Sequence, residues 1–184
     1  MQEMISKDVK KSTRSNELSV KKRNGQTEVF EAEKINKVLI WATSGISGVS
    51  ASDVAMNSHL QFYPGIKTSE IHKVLIQSAV DLISDKNPNY QYVASNLLNY
   101  LLRKEVFETK KELPSLSECI NRNIKVDLYD SLILKKYTQD EIYKCDSFIK
   151  HERDEQLTYA AMEQFRGKYL VQNRVTKEIK ETPQ

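Results

Sequence analysis

Lys21, Lys22 and Arg23 close a short alternating run that begins at Leu18; Asn24-Gly25 follows, and Glu28 stands on the returning run. A turn needs only the Asn-Gly pair, so three consecutive cations call for an anion. Three further candidates are distant in sequence. Lys34 lies near the start of one amphipathic stretch, Thr68 at the start of another, and Lys104 near the end of a third. Cations together with the unpaired backbone N–H groups of a helix start are the groups that hold phosphates. Only five glycines occur, none in G-x-x-x-x-G-K-[ST] or G-x-G-x-x-G order. A glycine cradle is therefore excluded, and side chains and helix starts must supply any anion site. The plain alternative is that a basic strand edge merely discourages unwanted strand pairing. His72, taken alone, reads as an ordinary core or surface histidine, and Trp41 and the tyrosines as core and interface residues.

Bringing these positions together takes a small sheet and four helices. Leu18–Val20 alternates as a strand, Asn24-Gly25 is a strong hairpin signal, and Thr27–Phe30 returns. Glu31-Ala32-Glu33 opens a first helix with acidic residues at its positive end. Ile35, Val38, Leu39 and Ala42 form its apolar stripe, and Gly45 and Gly48 end it. Ser50 and Asp53 have capping-box spacing for a second helix reaching about Phe62. Tyr63-Pro64-Gly65-Ile66 reads as a turn from which Ile66-Lys67 adds a strand to the hairpin. Thr68 or Ser69 caps a third helix with the stripe Ile71, Val74, Leu75, Ser78 and Leu82. After Pro88 a fourth helix carries Val93, Ala94, Leu97, Leu98 and Leu101. The fold class expected is α+β, mainly α.

Three parts follow: a mobile polar tail at 1–17, the sheet-and-helix unit at 18–107, and a helical segment at 108–184. In the last, Leu113-Pro114-Ser115 restarts the chain, and Thr138 and Glu141 form a capping box for a helix with Ile142, Cys145 and Ile149 on one face. Leu157–Phe165 reads as a helix stopped by Gly167, and Tyr169-Leu170-Val171 as a strand.

The 184 residues carry 28 basic and 25 acidic side chains, a net charge of +3. That balance argues against a general nucleic-acid binder and makes any anion site local. Cys119 and Cys145 are the only cysteines and match no zinc spacing, so no structural metal is expected. No apolar run approaches the roughly 20 residues of a membrane span, and no secretory signal is visible. A soluble cytoplasmic protein is expected, with neither membrane nor nucleic acid as partner.

Read together, VKKRNGQTEVFEAEKINKVLIWA, HLQFYPGIKTSEIHKVLIQSAVDLIS and PNYQYVASNLLNYLLRK resemble the ATP-cone of the large (alpha) subunit of class I ribonucleoside-diphosphate reductases. The likeness continues from Tyr137 to Gln184, where GKYLVQNRVT is a specific string. It implies a three-stranded sheet over a four-helix bundle and an allosteric activity site for ATP or dATP, taken with Mg. By matching position it implies that Lys22, Arg23, Thr68 and Lys104 hold the phosphates. Glu28 and Glu31 address the adenine, Ile35 packs on the base, His72 sits near the sugar, and Lys34 adds a cation. Asn24, Glu31, Pro64, Asn89 and Tyr100 depart from the commoner family residues and leave the phosphate set intact. The implied partners are the remainder of the large subunit, the small (beta) subunit and further copies in an oligomer. The family's catalytic cysteines and barrel would lie beyond Gln184, so this chain is expected to bind nucleotide without reducing it. The alternative is a free-standing cone acting as a nucleotide-binding regulator.

Overall fold

The computed structural model describes residues 18–59, 61–107 and 113–184. The expected tail at 1–17 and the junction at 108–112 lie outside the described residues. β1 (Ser19–Lys21) and β2 (Thr27–Val29) pair antiparallel, with Val20 opposite Glu28. The turn between them is one residue longer than an Asn-Gly two-residue hairpin. Gly25 N–H donates to the Lys22 carbonyl at 3.0 Å, and Lys22 N–H donates to Gln26 at 2.8 Å. Gly25 alone takes a positive φ, +84°. This is the three-residue loop in which a left-handed glycine closes the turn, and it sets Arg23 at the tip.

β3 (Ile66–Lys67) joins β1 in parallel, giving the order β2-β1-β3. Its approach is fixed by the Tyr63–Ile66 turn, where Gly65 has φ +81° and its N–H donates to Ser19 at 2.8 Å. Proline then glycine at the centre of a turn is the type II arrangement.

Four helices pack under the sheet: α1 (Ala32–Thr43), α2 (Ala51–His59), α3 (Thr68–Asp81) and α4 (Tyr90–Phe107). α4 is the central one. It lies against α1 and α3 on one side, and on the other against α8 (Tyr159–Gln164) and a 3-10 turn at His151–Gln156. Leu39, Val54, Leu75, Ala79, Val93, Leu97, Leu98 and Leu101 form the core, which Met162 and Leu170 extend. The stripes expected on α3 and α4 are the buried faces, although Val74 and Leu82 are only half-buried. On α1 the stripe divides: Leu39 and Ala42 are buried, while Ile35 and Val38 are half-buried. The rest of the chain adds α5 (Leu116–Lys125), α6 (Leu132–Lys136) and α7 (Gln139–Asp146). Among the described residues no helix is long and apolar enough to cross a membrane, and no group of three or more His, Cys, Asp or Glu could hold a metal.

Several local expectations are corrected. Ser50 and Asp53 do not close a capping box on each other. The Tyr90 hydroxyl instead accepts from Ser50 N–H at 3.1 Å and donates to Asp53 Oδ2 at 2.8 Å. A tertiary partner has outcompeted a local one. Lys67 is the N-cap of α3 and Thr68 its first helical residue; the Glu70 carboxylate caps the Lys67 N–H at 3.2 Å. The Thr138–Glu141 box does form, and Ser115 with Glu118 makes another at α5 that the sequence reading overlooked. α7 ends at Asp146, so of its expected apolar face only Ile142 is buried and Cys145 is exposed. Gly167 does not stop its helix: α8 runs into a π-turn, Phe165–Tyr169, that passes through it. Tyr169–Val171 is no strand; the nearby sheet-like feature is a single bridge, Gln172 to Ile179.

Candidate functional site

The hairpin, the first turns of α1 and α3, and the last turns of α4 enclose a cavity of about 700 Å³. Helical spacing explains which side chains reach it. From the N-cap and first turns of α1 they are Glu31, Lys34, Ile35 and Val38; on α3 they are Thr68, Ile71, His72 and Leu75. Both sets follow i, i+3, i+4, i+7, one face of a helix. α4 contributes Tyr100 and Lys104, one turn apart, and the hairpin contributes Lys22, Arg23 and Glu28. All nine residues singled out in the sequence therefore line one cavity.

The floor is apolar: Val20, Ile71 and Leu75 are buried, with Phe30 and Val38 partly buried around them. The mouth is charged and wet. Lys22, Arg23 and Lys34 keep 41%, 45% and 62% of their side-chain surface exposed.

The charges are internally matched. Lys22 Nζ bonds Glu28 across the hairpin, and Lys34 Nζ bonds Glu31 Oε1 at 2.8 Å. The bond from Lys22 holds the Glu28 carboxyl below its ordinary value, against an opposing effect of burial. The bond to Glu31 raises Lys34 above the usual lysine range. Exposed pairs of this kind are weak and exchange partners readily. An incoming anion can take the lysines without a large desolvation penalty.

Arg23 Nη1 donates to the Lys104 carbonyl at 2.9 Å, tying the hairpin tip to the C-terminal turn of α4. Lys104 Nζ stands 3.0 Å from His72 Nε2 and 4.5 Å from the Tyr100 ring centre. Thr68 sits in the first turn of α3, where N–H groups lack intrahelical acceptors and the helix dipole is positive. Together the groups suit a ligand with an anionic portion for the cations and a flat or apolar portion for the floor.

Sequence reasoning missed the apolar wall. Ile71 and Leu75 were read as core, yet their outward edges form the cavity floor, and Tyr100 was noted only as a substitution. A signal was present: all three fall one or two turns from named site residues on the same helix face.

Residues 18–105 match the family model described as ATP cone domain. Over 167 residues the chain is 48% identical to the ribonucleoside-diphosphate reductase 1 subunit alpha of Salmonella typhimurium and 47% to that of Escherichia coli. It is 38% identical over 170 residues to the ribonucleoside-diphosphate reductase subunit alpha of Enterobacteria phage T4. Each match covers 91% of this chain and 22% of the relative, so the chain spans about a fifth of the length of these curated proteins. With the sheet, α1 to α3, nearly all of α4 and the cavity inside the matched stretch, residues 18–105 form an ATP cone domain, and the chain as a whole is similar to the N-terminal region of ribonucleoside-diphosphate reductase alpha subunits.

Proposed function

We propose that this chain is the N-terminal regulatory part of a ribonucleoside-diphosphate reductase large subunit, and that its cavity is an allosteric activity site for ATP and dATP. An ATP cone indicates nucleotide binding; the effector and the individual residue roles are our reading. The observation that carries it is the meeting, over one apolar floor, of cations from the hairpin and α4 with the N-terminus of α3. Lys22, Arg23, Thr68 and Lys104 hold the phosphates. Glu28 and Glu31 accept from the adenine amino group, Ile35 packs on the base, His72 lies against the ribose, and Lys34 supplies a further cation. Mg2+ travels with the phosphates, the usual mode for that ion.

The exchange is electrostatic. Phosphate oxygens draw Lys22 away from Glu28, which leaves a carboxylate acceptor for the base. One ligand thus satisfies both halves of an ion pair that it separates. The remainder of the subunit, the small beta subunit and an oligomeric assembly in the cytoplasm complete the reading: the cone biases reduction of ribonucleotides to deoxyribonucleotides, chemistry housed outside this chain. Coupling between such sites is reciprocal in binding and commonly about 1–3 kcal/mol.

The test is calorimetric titration with ATP and dATP. Lys22→Ala and Thr68→Ala should each weaken binding by about tenfold, as expected for loss of one charge-assisted or helix-start hydrogen bond. Variants that bind like the parent would remove these residues from the site. A steep salt dependence with no preference for adenine nucleotides would instead indicate a general polyanion surface.

A further inference from the structure

Glu105, next to Lys104 on α4, is the carboxylate between two guanidinium groups. Its Oε1 is 3.9 Å from Arg23 Nη2, and its Oε2 is 3.9 Å from Arg166 Nη2. Arg23 lines the nucleotide cavity. Arg166 belongs to the π-turn that follows α8, and its Nη1 has a second carboxylate, Glu163, at 4.0 Å. The three side chains retain 31–45% of their surface, so these contacts are exchangeable rather than locked.

We propose that Glu105 is a shared counter-ion that couples occupancy of the cavity to the Phe165–Tyr169 turn, a positioning role that rests on the cavity being a nucleotide site. A triphosphate draws Arg23 off Glu105. The carboxylate then serves Arg166 alone and holds it against the rival Glu163. Arg166 sits inside the turn closed by the bond from Leu170 N–H to the Phe165 carbonyl, 3.0 Å. Firmer anchoring of Arg166 therefore steadies that bond. The reverse holds by linkage: whatever presses Arg166 onto Glu105 frees Arg23 for phosphate. Because α8 packs on α4, the signal crosses from one helix to its neighbour and needs no motion of the core.

The experiment is calorimetric titration of the full 184-residue chain with ATP, with amide exchange at Leu170 followed with and without the nucleotide. In the parent, ATP should slow exchange at Leu170. Glu105→Gln should bind ATP about threefold tighter, the size expected for removal of a part-exposed competing charge, and its Leu170 exchange should no longer respond to ATP. Arg166→Gln should bind about threefold weaker, because Glu105 then belongs to Arg23 alone, and should change nothing in the Glu105→Gln background. Equal ATP affinity in Glu105→Gln and parent overturns the coupling. So does a Leu170 amide indifferent to ATP in the parent, or an Arg166→Gln effect that persists without Glu105. Should Arg166→Gln fail to fold, the near-isosteric Glu105→Gln still decides the matter. A parent chain that binds no ATP overturns the site reading and the coupling together, whereas binding without these differences removes the coupling alone.

Discussion

Lys104 Nζ on α4 and His72 Nε2 on α3 stand 3.0 Å apart, and the same ammonium lies 4.5 Å from the Tyr100 ring centre. An ammonium has only donors, so Nε2 must accept, which makes the imidazole neutral with its proton on Nδ1. His72 in turn lies 5.2 Å from Tyr100, centre to centre. The cation is thus aimed by two residues, one on its own helix and one across the interface. His72→Phe keeps the ring against Tyr100 but deletes the acceptor. We expect ATP affinity to fall about three- to tenfold, in line with a typical net hydrogen bond of about 0.5–1.5 kcal/mol. The ratio of ATP to dATP affinity should move toward one; a ratio equal to the parent's would take His72 away from the ribose.

Gly65 sets the approach of β3 and hence of Thr68. Nothing lies within 4 Å of a Cβ added there, but φ is +81°. The cost of Gly65→Ala is therefore conformational, about 1–2 kcal/mol. Thermal unfolding should begin roughly 2–8 °C lower for a chain of this length. A melting point equal to the parent's would show that the turn relaxes without strain.

Tyr90 is 3% exposed, and its hydroxyl serves both Ser50 N–H and Asp53. Burial, with the bond to Asp53 adding to it, pushes the phenol's pKa up, so the hydroxyl stays protonated as the bridge requires. Tyr90→Phe leaves the Ser50 N–H without this acceptor at the start of α2. A loss of about 1–2 kcal/mol in urea unfolding is expected, at unchanged m-value. No loss would mean that water replaces the hydroxyl at no cost.

Asp154 is 1% exposed and accepts from Arg103 Nη2 at 3.2 Å; the same nitrogen donates to the His151 carbonyl at 2.9 Å. Burial pushes the Asp154 carboxyl above its ordinary value, and Arg103 opposes this only in part. Such a carboxyl binds its proton more tightly folded than unfolded. Its contribution to stability is full below the ordinary aspartate value and declines as pH rises through the folded pKa. Asp154→Asn should flatten that segment of the pH–stability profile. At neutral pH it should stay within about 1–2 kcal/mol of the parent, because its amide oxygen still accepts from Arg103. Asp154→Ala strands a mostly buried guanidinium and should cost about 3 kcal/mol. Urea titrations across a pH series separate these cases; identical behaviour of the two variants would exclude control by the buried pair.

Much of the architecture was legible because it is local. Alternation, a proline-glycine turn and stripes of period 3.6 are dictated by neighbouring residues, and the structure follows them from β1 through α4; the Thr138–Glu141 box at α7 is equally local. Local reasoning failed where a distant group offered a better partner. Tyr90 took the Asp53 carboxylate that was expected to close the capping box of α2. The sequence and its family likeness named nine side chains with matched chemistry, by type and by position within each element.

What only the tertiary structure decided is that these side chains share one space. Arg23 and Lys104 are 81 positions apart, yet the hairpin tip bonds the last turns of α4. No periodicity encodes that meeting. It arises because the sheet and the helix faces bury their apolar residues in one core, which leaves their polar flanks around a common opening. The placement of Glu105 between Arg23 and Arg166 is likewise invisible in the string of letters. Ion pairs between elements depend on where packing sets the backbones, and packing is a property of the whole chain.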